Sequence, residues 1–316
     1  YARLDEILGV ERGFETFPRP NRLRAPSLRH DVQEAVDLFK TFDGSLSGLA
    51  YLSRRLGTGI RKRAIRTRYA NLHGEDTFYL QIQEGCSMHC SYCVIRKAIG
   101  PLRSKPSAAV LDEFRAGLDQ GYGRFQLMGD NAGSYGLDLG TNMGALLEGI
   151  LAIEGNFVLD LTDINPVYLP LVCGPIQELC ARGKLARLYV PIQSSSRRLL
   201  GLMNRDCDMA AVKARLVEIR YRGGPDLKLG TSLIVGFPSE TVEELEATVA
   251  FCCDVGFDWV WCHSFSARPE TEAAALPGSY PAEEILRRAR WVKSRLGGRI
   301  LVTTADDTAG SRTCQG

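Results

Sequence analysis

The sequence has no apolar stretch approaching the roughly 20 residues that cross a bilayer, and its first residues do not read as a charged and then apolar leader. No membrane partner is expected, and the expected home is a soluble, reducing compartment, the cytoplasm. An excess of either charge is missing too: 39 Lys and Arg stand against 37 Asp and Glu, for a net charge of +2. That balance does not mark a dedicated nucleic-acid protein, although charge can be concentrated locally. Cysteine is absent before Cys86. The ten cysteines of the chain are not needed as disulfides, because 316 residues with 45% hydrophobic content can build a core without them. Most of Cys173, Cys180, Cys207, Cys252, Cys253 and Cys262 are read as small buried hydrophobes.

Cys86, Cys90 and Cys93 are different. They are spaced C-x₃-C-x₂-C in the run "EGCSMHCSYC", directly after the apolar-alternating segment "FYLQIQ". Three thiolates on one tight loop can hold three irons of a [4Fe–4S] cluster, which normally takes four protein ligands. The missing ligand leaves one iron open to a small molecule, as an open position marks a catalytic metal site. A zinc site would want a fourth Cys or His at ligand spacing. His89 lies inside the loop but beside Cys90, where it cannot easily turn to the same ion, and it reads as a solvent-facing or outer group. A thioredoxin-type reading of "CSYC" leaves Cys86 unused.

From residue 75 to about 297 short β-rich runs alternate with helical stretches. Strands are expected at 78–84, 124–130, 157–164, 186–193, 227–236 and 259–266. Helices are expected at 107–120, 141–153, 168–182, 196–220 with a break near Cys207, 241–255 and 281–296. "TVEE" at 241–244 is a capping box. The alternation predicts an α/β fold with a parallel sheet, and six repeats predict a partial (β/α)6 TIM-like barrel, whose function collects at the C-terminal ends of its strands. The turn-forming patches "GDN", "TDINP", "PIQSSS", "GFPSE" and "SFSARP" end the second to sixth strands, so they share one rim with the cysteine loop. Residues 1–74 read as an N-terminal extension carrying a basic run at 54–68. That run is either a solvated connection or a face for an anionic partner, and it lacks the interleaved aromatics of a single-strand stacking platform. Residues 298–316 read as a polar tail without evident fold.

C-x₃-C-x-aromatic-C after the first barrel strand, with Tyr92 at the aromatic position, resembles the radical S-adenosylmethionine (SAM) enzymes. Within that superfamily, five ordered blocks resemble the methylthiotransferases that modify tRNA or a ribosomal protein: "EGCSMHCSYCVIRKAIGPLRSKP", "GDNAGSYGLDLGTN", "LYVPIQSSSRRLLGLMNR", "TSLIVGFPSETVEELEATVAF" and "VGFDWVWCHSFSARPETEAA". The resemblance implies SAM and a [4Fe–4S] cluster as cofactors, with Cys86, Cys90 and Cys93 as the metal ligands. It also implies an electron donor (a reductase, flavodoxin or ferredoxin) and a radical that abstracts a substrate hydrogen. By the same resemblance Tyr92 lies near the adenine, and Gly129, Asp130 and Asn131 near the methionine amino group. Gln193, Ser194 and Ser196 line the SAM or substrate side, and Arg205 is the candidate for the methionine carboxylate. Gly236 lets the backbone approach the adenine or ribose. Plainer readings make the glycines ordinary turns, Arg205 a surface helix-end charge and Glu240 a residue favouring a helix N-terminus.

The chain departs from that family in several places. The family's N-terminal domain carries three further cysteines for a second cluster; "RLDEILGV" at 3–10 weakly resembles its end, so the chain either continues upstream of Tyr1 or comes from a lineage that lost them. The RNA-binding TRAM module is not visible. Ile99 stands where many relatives have arginine, and Ser195 replaces a usual glycine. Two enzymatic readings follow. In the first, sulfur is inserted as a methylthio group at an unactivated C–H bond, with tRNA adenosine as substrate. In the second, radical chemistry acts on a small metabolite or peptide without sulfur insertion. An iron–sulfur binding protein on a retired barrel and an RNA-binding protein acting through residues 54–68 are the non-enzymatic readings.

Overall fold

The computed structural model describes residues 77–297 and the backbone of a strand at 301–303. The expectations for residues 1–74, including the basic run, and for the chain after residue 303 fall outside the described residues.

Among the described residues seven strands form one sheet in the order β1-β4-β5-β6-β7-β8-β9. They are β1 (Thr77–Gln81), β4 (Arg124–Met128), β5 (Val158–Leu161), β6 (Leu185–Tyr189), β7 (Lys228–Val235), β8 (Trp259–Ser264) and β9 (Leu301–Thr303). From β4 to β9 every neighbouring pair is parallel, and the order is open, as in a partial barrel. One compact unit begins at Leu80, inside β1. Six strands lie where the sequence places them, to within a few residues. The seventh corrects the reading of the tail: Leu301 to Thr303 pair with Trp259 to Trp261. Three residues are too few to show a period, so this strand exists only because β8 offers it an edge. A second two-stranded piece, β2 (Gln83–Glu84) with β3 (Arg103–Ser104), is antiparallel and brackets the cysteine loop.

Alternation along the strands sorts side chains between the helices and the inner face. In β4, Phe125 and Leu127 are fully buried toward the helix α2 (Ser107–Asp119). There Phe125 stacks on Phe114 at 4.1 Å, and Phe157 meets Phe114 edge-on at 4.9 Å. Burying each of these rings contributes about 1.5–3 kcal/mol. The intervening Arg124 and Gln126 lie on the other face, where Arg124 forks onto Asp160 of β5 at 2.9 and 2.7 Å. This buried carboxylate thus has a bidentate partner near the N-terminal end of the sheet, opposite the rim.

The short helix α1 (Ile95–Ile99) directly follows the last cysteine. The remaining crossovers supply α3 (Met143–Leu151), α4 (Leu169–Ala181), α5 (Arg197–Leu202), α6 (Met209–Gly223), α7 (Val242–Val255) and α8 (Ala282–Leu296). The expected break near Cys207 is present. Asn204 takes a left-handed φ of 55° after α5, and the Asp208 carboxylate then caps α6 by accepting from Ala210 N and Ala211 N. Arg205 therefore sits on the link, not on a helix. Thr241 and Glu244 make the expected capping box at the start of α7. Of the six cysteines read mostly as buried, Cys180, Cys252 and Cys262 are so; Cys173 and Cys207 are half-buried and Cys253 is exposed. Cys253 follows the buried Cys252 on α7, and neighbouring helical positions do not share a face.

Gly144 shows how close α3 and α4 lie, since a Cβ there would sit 2.3 Å from the Leu171 carbonyl oxygen. Alanine would gain up to about 1 kcal/mol of helix propensity, against an overpacking cost of about 1–3 kcal/mol. The backbone carbonyl cannot swing aside as a side chain can, so the cost should win. Gly144→Ala is expected to lower the melting temperature by a few degrees; a variant that melts higher would show that the two helices part easily.

Candidate functional site

The 86–93 loop enters from β2 through Gly85, whose φ of 73° and place 2.1 Å (from an added Cβ) off the Pro101 carbonyl oxygen admit no side chain. Gly85 N donates to Asp130 Oδ2 at 2.8 Å, so the end of β4 fixes the loop's first turn. Its middle is tied through Ser91, which donates from N to Met203 O at 3.1 Å and from Oγ to Leu202 O at 2.7 Å, and accepts from Ala273 N at 2.9 Å. Segments from three distant parts of the chain thus shape one irregular loop.

Each cysteine sulfur faces an N–H donor. Cys86 Sγ accepts from Met88 N at 3.4 Å and Asn131 Nδ2 at 3.7 Å, Cys93 Sγ from Ile95 N at 3.5 Å, and Cys90 Sγ from Arg205 Nη1 at 3.8 Å. Burial raises the Cys86 and Cys93 thiols above their ordinary value, and the backbone donors oppose it. Such a site takes metal with release of protons. Among the described residues no three Cys, His, Asp or Glu side chains are gathered as a single metal ion would need. Three cysteine sulfurs on one loop are the donor type that a four-iron cluster takes. Asn131 Oδ1, beside the loop, and Gln193 Oε1, past the end of β6, are buried acceptors without a hydrogen-bond partner. These suit a ligand that carries donors, such as an amino or hydroxyl group.

Several of the expected site residues meet at this loop. Asn131 and Asp130 contact it directly, as above. Tyr92 OH accepts from Arg205 Nη1 at 3.4 Å, and burial pushes its phenol well above the usual range. Arg205 is only 8% exposed, which overturns the plainer reading of a surface charge. Gly129 has a local reason to be glycine: an added Cβ would lie 2.5 Å from Gln83 Cγ. Gly236 has two, its φ of 75° and Ile285 of α8 at 2.6 Å. Ser194 and Ser196 turn toward α7 instead. Ser194 Oγ lies 3.3 Å from Thr248 Oγ1, and Ser196 caps α5 and donates to Glu244 Oε1 at 2.6 Å. Glu240 is buried, accepts from Gly236 N at 2.8 Å and Arg288 Nη1 at 3.2 Å, and has its carboxyl pushed up to about 7, chiefly by burial. His89 sits in the exposed position expected, its Nε2 2.6 Å from Arg96 Nη1.

Two rim residues escaped the sequence reading. Tyr168 OH lies 3.0 Å from Ser87 Oγ and 3.4 Å from Met88 Sδ, a contact across some 80 positions that no local pattern encodes. Asp163, inside the "TDINP" patch, holds a left-handed φ of 56°. Burial pushes its carboxyl up to about 6, with Asp130 adding to the rise and a hydrogen bond with Thr162 opposing it. A carboxyl raised above its ordinary 3.8 gives stability that is full below the unfolded value and is lost as pH climbs through about 6. Asn adopts the left-handed region as readily as Asp, so Asp163→Asn isolates the charge. The variant is expected to flatten the fall in melting temperature between pH 4 and 6; an unchanged slope would show that Asp163 is ionised freely in the folded protein.

With this geometry in view, comparison with known proteins is direct. The model of the Radical SAM superfamily matches residues 80–252. tRNA-2-methylthio-N(6)-dimethylallyladenosine synthase of Nitratidesulfovibrio vulgaris (strain DP4) is 34% identical over 234 residues, 71% of this chain and 51% of that protein. Ribosomal protein uS12 methylthiotransferase RimO of Pelotomaculum thermopropionicum is 36% identical over 219 residues, 68% of this chain and 48% of that protein. Among solved structures, the radical SAM methyltransferase TsrM of Kitasatospora setae, with cobalamin and a [4Fe–4S] cluster bound, has a TM-score of 0.49 and 19% identity over 62% of this chain and 35% of that chain. The chain spans about half the length of the curated relatives it matches. Among the described residues no helix is long and apolar enough to cross a membrane. The family match covers the cysteine loop and the ends of β4 to β7, and it settles the kinship: this chain belongs to the radical SAM superfamily.

Proposed function

We propose that this chain is the core of a methylthiotransferase-like enzyme, in which residues 75–297 form the barrel and residues 1–74 are an N-terminal segment, a remnant of the family's N-terminal domain. The observation that carries this reading is the cysteine trio, each sulfur facing an N–H donor, in a chain 34 and 36% identical to two methylthiotransferases. Cys86, Cys90 and Cys93 would hold the cluster. When bound, the cluster and SAM supply one-electron cleavage of the sulfonium carbon–sulfur bond and, through it, abstraction of a substrate hydrogen. The protein's part is to aim and to exclude water. Asn131 Oδ1 and Gln193 Oε1, buried acceptors without a partner, would accept from donor groups of SAM, and Asp130 keeps the loop in register by accepting from Gly85 N. The electron comes from a reductase, flavodoxin or ferredoxin. The product would be a methylthio group on an unactivated carbon of tRNA adenosine, its sulfur supplied by the second cluster that the family's N-terminal domain carries and its methyl group by a further molecule of SAM.

Anaerobic reconstitution tests the first half. The wild-type core is expected to take up about four irons per chain, one cluster's worth, and to release 5′-deoxyadenosine from SAM under reductant. Cys90→Ala should do neither while keeping its circular dichroism spectrum. Iron uptake or SAM cleavage by that variant would sink the cluster assignment. Mass spectrometry of tRNA incubated with the enzyme tests the second half: a product without added sulfur would favour a radical reaction on another substrate, a small metabolite or peptide.

A further inference from the structure

Between Glu84 and Asp112 the chain carries Arg96, Lys97, Arg103 and Lys105 and no acidic residue. That run holds the cysteine loop and α1. No residue of α1 is buried, and Ile95 and Ile99, one turn apart on the same side, are 37% and 38% exposed. The helix is fastened to the loop: Ile95 N donates to Cys93 Sγ at 3.5 Å, and Arg96 Nη1 to Ser87 O at 3.5 Å. The cations around the two isoleucines are loosely engaged. Arg96 has no carboxylate partner among the described residues. Lys97 donates to the Glu270 carbonyl at 2.5 Å and to its carboxylate at 3.4 Å, and Arg103 of β3 meets Glu84 at 3.4 Å. In both pairs each side chain is more than a third exposed. Surface pairs of this kind contribute about 0–1 kcal/mol, so the carboxylates of a docked protein can replace them. Lys105 is closed on Glu113 at 2.8 Å and stands apart from the patch.

We propose that α1 and Arg103 form the docking face for a small acidic protein that delivers the cluster's electron, with Ile95 and Ile99 at its centre and Arg96, Lys97 and Arg103 around them. This rests on the cluster reading above and names the surface through which that cluster is reduced. Apolar side chains ringed by polar ones are the anatomy of a protein–protein contact. The step is a one-electron exchange: the carrier is oxidised, the cluster is reduced, and no bond forms or breaks. The carrier must come close to the cluster, and α1 begins two residues after Cys93. A face with cations and no acid of its own steers an acidic carrier and speeds the encounter. It also gives a use to Ile99, one of the chain's departures from the family pattern. RNA is the other polyanion that a basic face attracts. Bases stack on aromatic rings, however, and α1 carries none, while its isoleucines offer a phosphate nothing.

The test uses the reconstituted full chain, with an acidic flavodoxin as the probe. Calorimetric titration is expected to show binding that weakens as salt is added. The double variant Lys97→Gln, Arg103→Gln should bind about tenfold more weakly and lose most of that salt dependence. Ile99→Ser, which alters no charge, should weaken binding severalfold and keep the wild-type salt dependence. Both variants should release 5′-deoxyadenosine at the wild-type rate when dithionite, a small reductant that needs no docking face, replaces the flavodoxin. No binding by the wild type, or wild-type affinity in both variants, would overturn the proposal. So would loss of tRNA binding in a filter assay with flavodoxin binding intact, which would make the face an RNA surface. Should the double variant take up no iron, Ile99→Ser decides alone, and wild-type affinity in it overturns the docking face. Wild-type protein that takes up no iron, or cleaves no SAM with dithionite, is a separate result, and it would bring down the functional reading itself.

Discussion

The bond from Gly85 N to the Asp130 carboxylate, 2.8 Å long, ties the residue before the first cysteine to the residues just past β4. On one side of it begins a loop with no regular backbone of its own; on the other stands a sheet whose position is set by parallel pairing and by the Phe114, Phe125 and Phe157 cluster. Irregular backbone keeps its shape only when its polar groups find partners. Here the partners come from outside the loop: Asp130 at its start, Met203 and Leu202 in its middle, and Gly100 O, which accepts from Cys86 N at 3.4 Å. The spacing of the three sulfurs is therefore a property of the sheet's upper rim and not of the loop sequence alone.

The two ends of the sheet are used differently. Toward the N-terminal ends, Arg124 and Asp160 satisfy each other with two short bonds, and a charge pair closed in this way is structural. At the C-terminal ends the polar groups are left incompletely satisfied. Asn131 Oδ1, Gln193 Oε1 and Ser264 Oγ are buried there without partners, and Arg205 is buried with a thiol, a phenol and a carbonyl as its partners among the described residues. Native proteins seldom leave buried polar atoms unpaired. Where several collect at one rim, they describe what a ligand must bring: donors for the two amides and negative charge for the guanidinium.

How much of this could be read from the sequence depends on the range of the interactions involved. The six principal strands and the longer helices were legible because burial imposes periods of two and 3.6 on neighbouring residues. The capping box at Thr241 and Glu244 and the break before Asp208 were legible for the same local reason. The cysteine loop was legible because metal ligation fixes spacing. What escaped was long-range. Ser91 reaches Leu202 and Tyr168 reaches Ser87 across spans that no window covers. The family resemblance set Ser194 and Ser196 on the SAM or substrate side, and their hydroxyls meet Thr248 and Glu244 of α7. β9 needed the edge of β8 before its three residues meant anything.

Backbone strain follows the same division. Among the described residues five that are not glycine take a positive φ: Asp163, Gln193, Asn204, Ser239 and Glu270. Four follow the C-terminal ends of β5, β6, β7 and β8, and the fifth immediately precedes Arg205. None lies at the opposite end of the sheet. Conformations of this kind cost about 1–3 kcal/mol each, so together they oppose folding by an amount comparable with the net stability of many domains. They persist because neighbouring pairings leave the chain no other course. Gln193 is held between Ser232 O and Ile234 N, at 2.8 and 3.0 Å. Ser239 N is held by Gly278 O at 2.8 Å. A sheet that gathers its left-handed turns on one rim, and sets its aromatic packing and the Arg124–Asp160 pair away from it, is built to be finished by what binds at that rim.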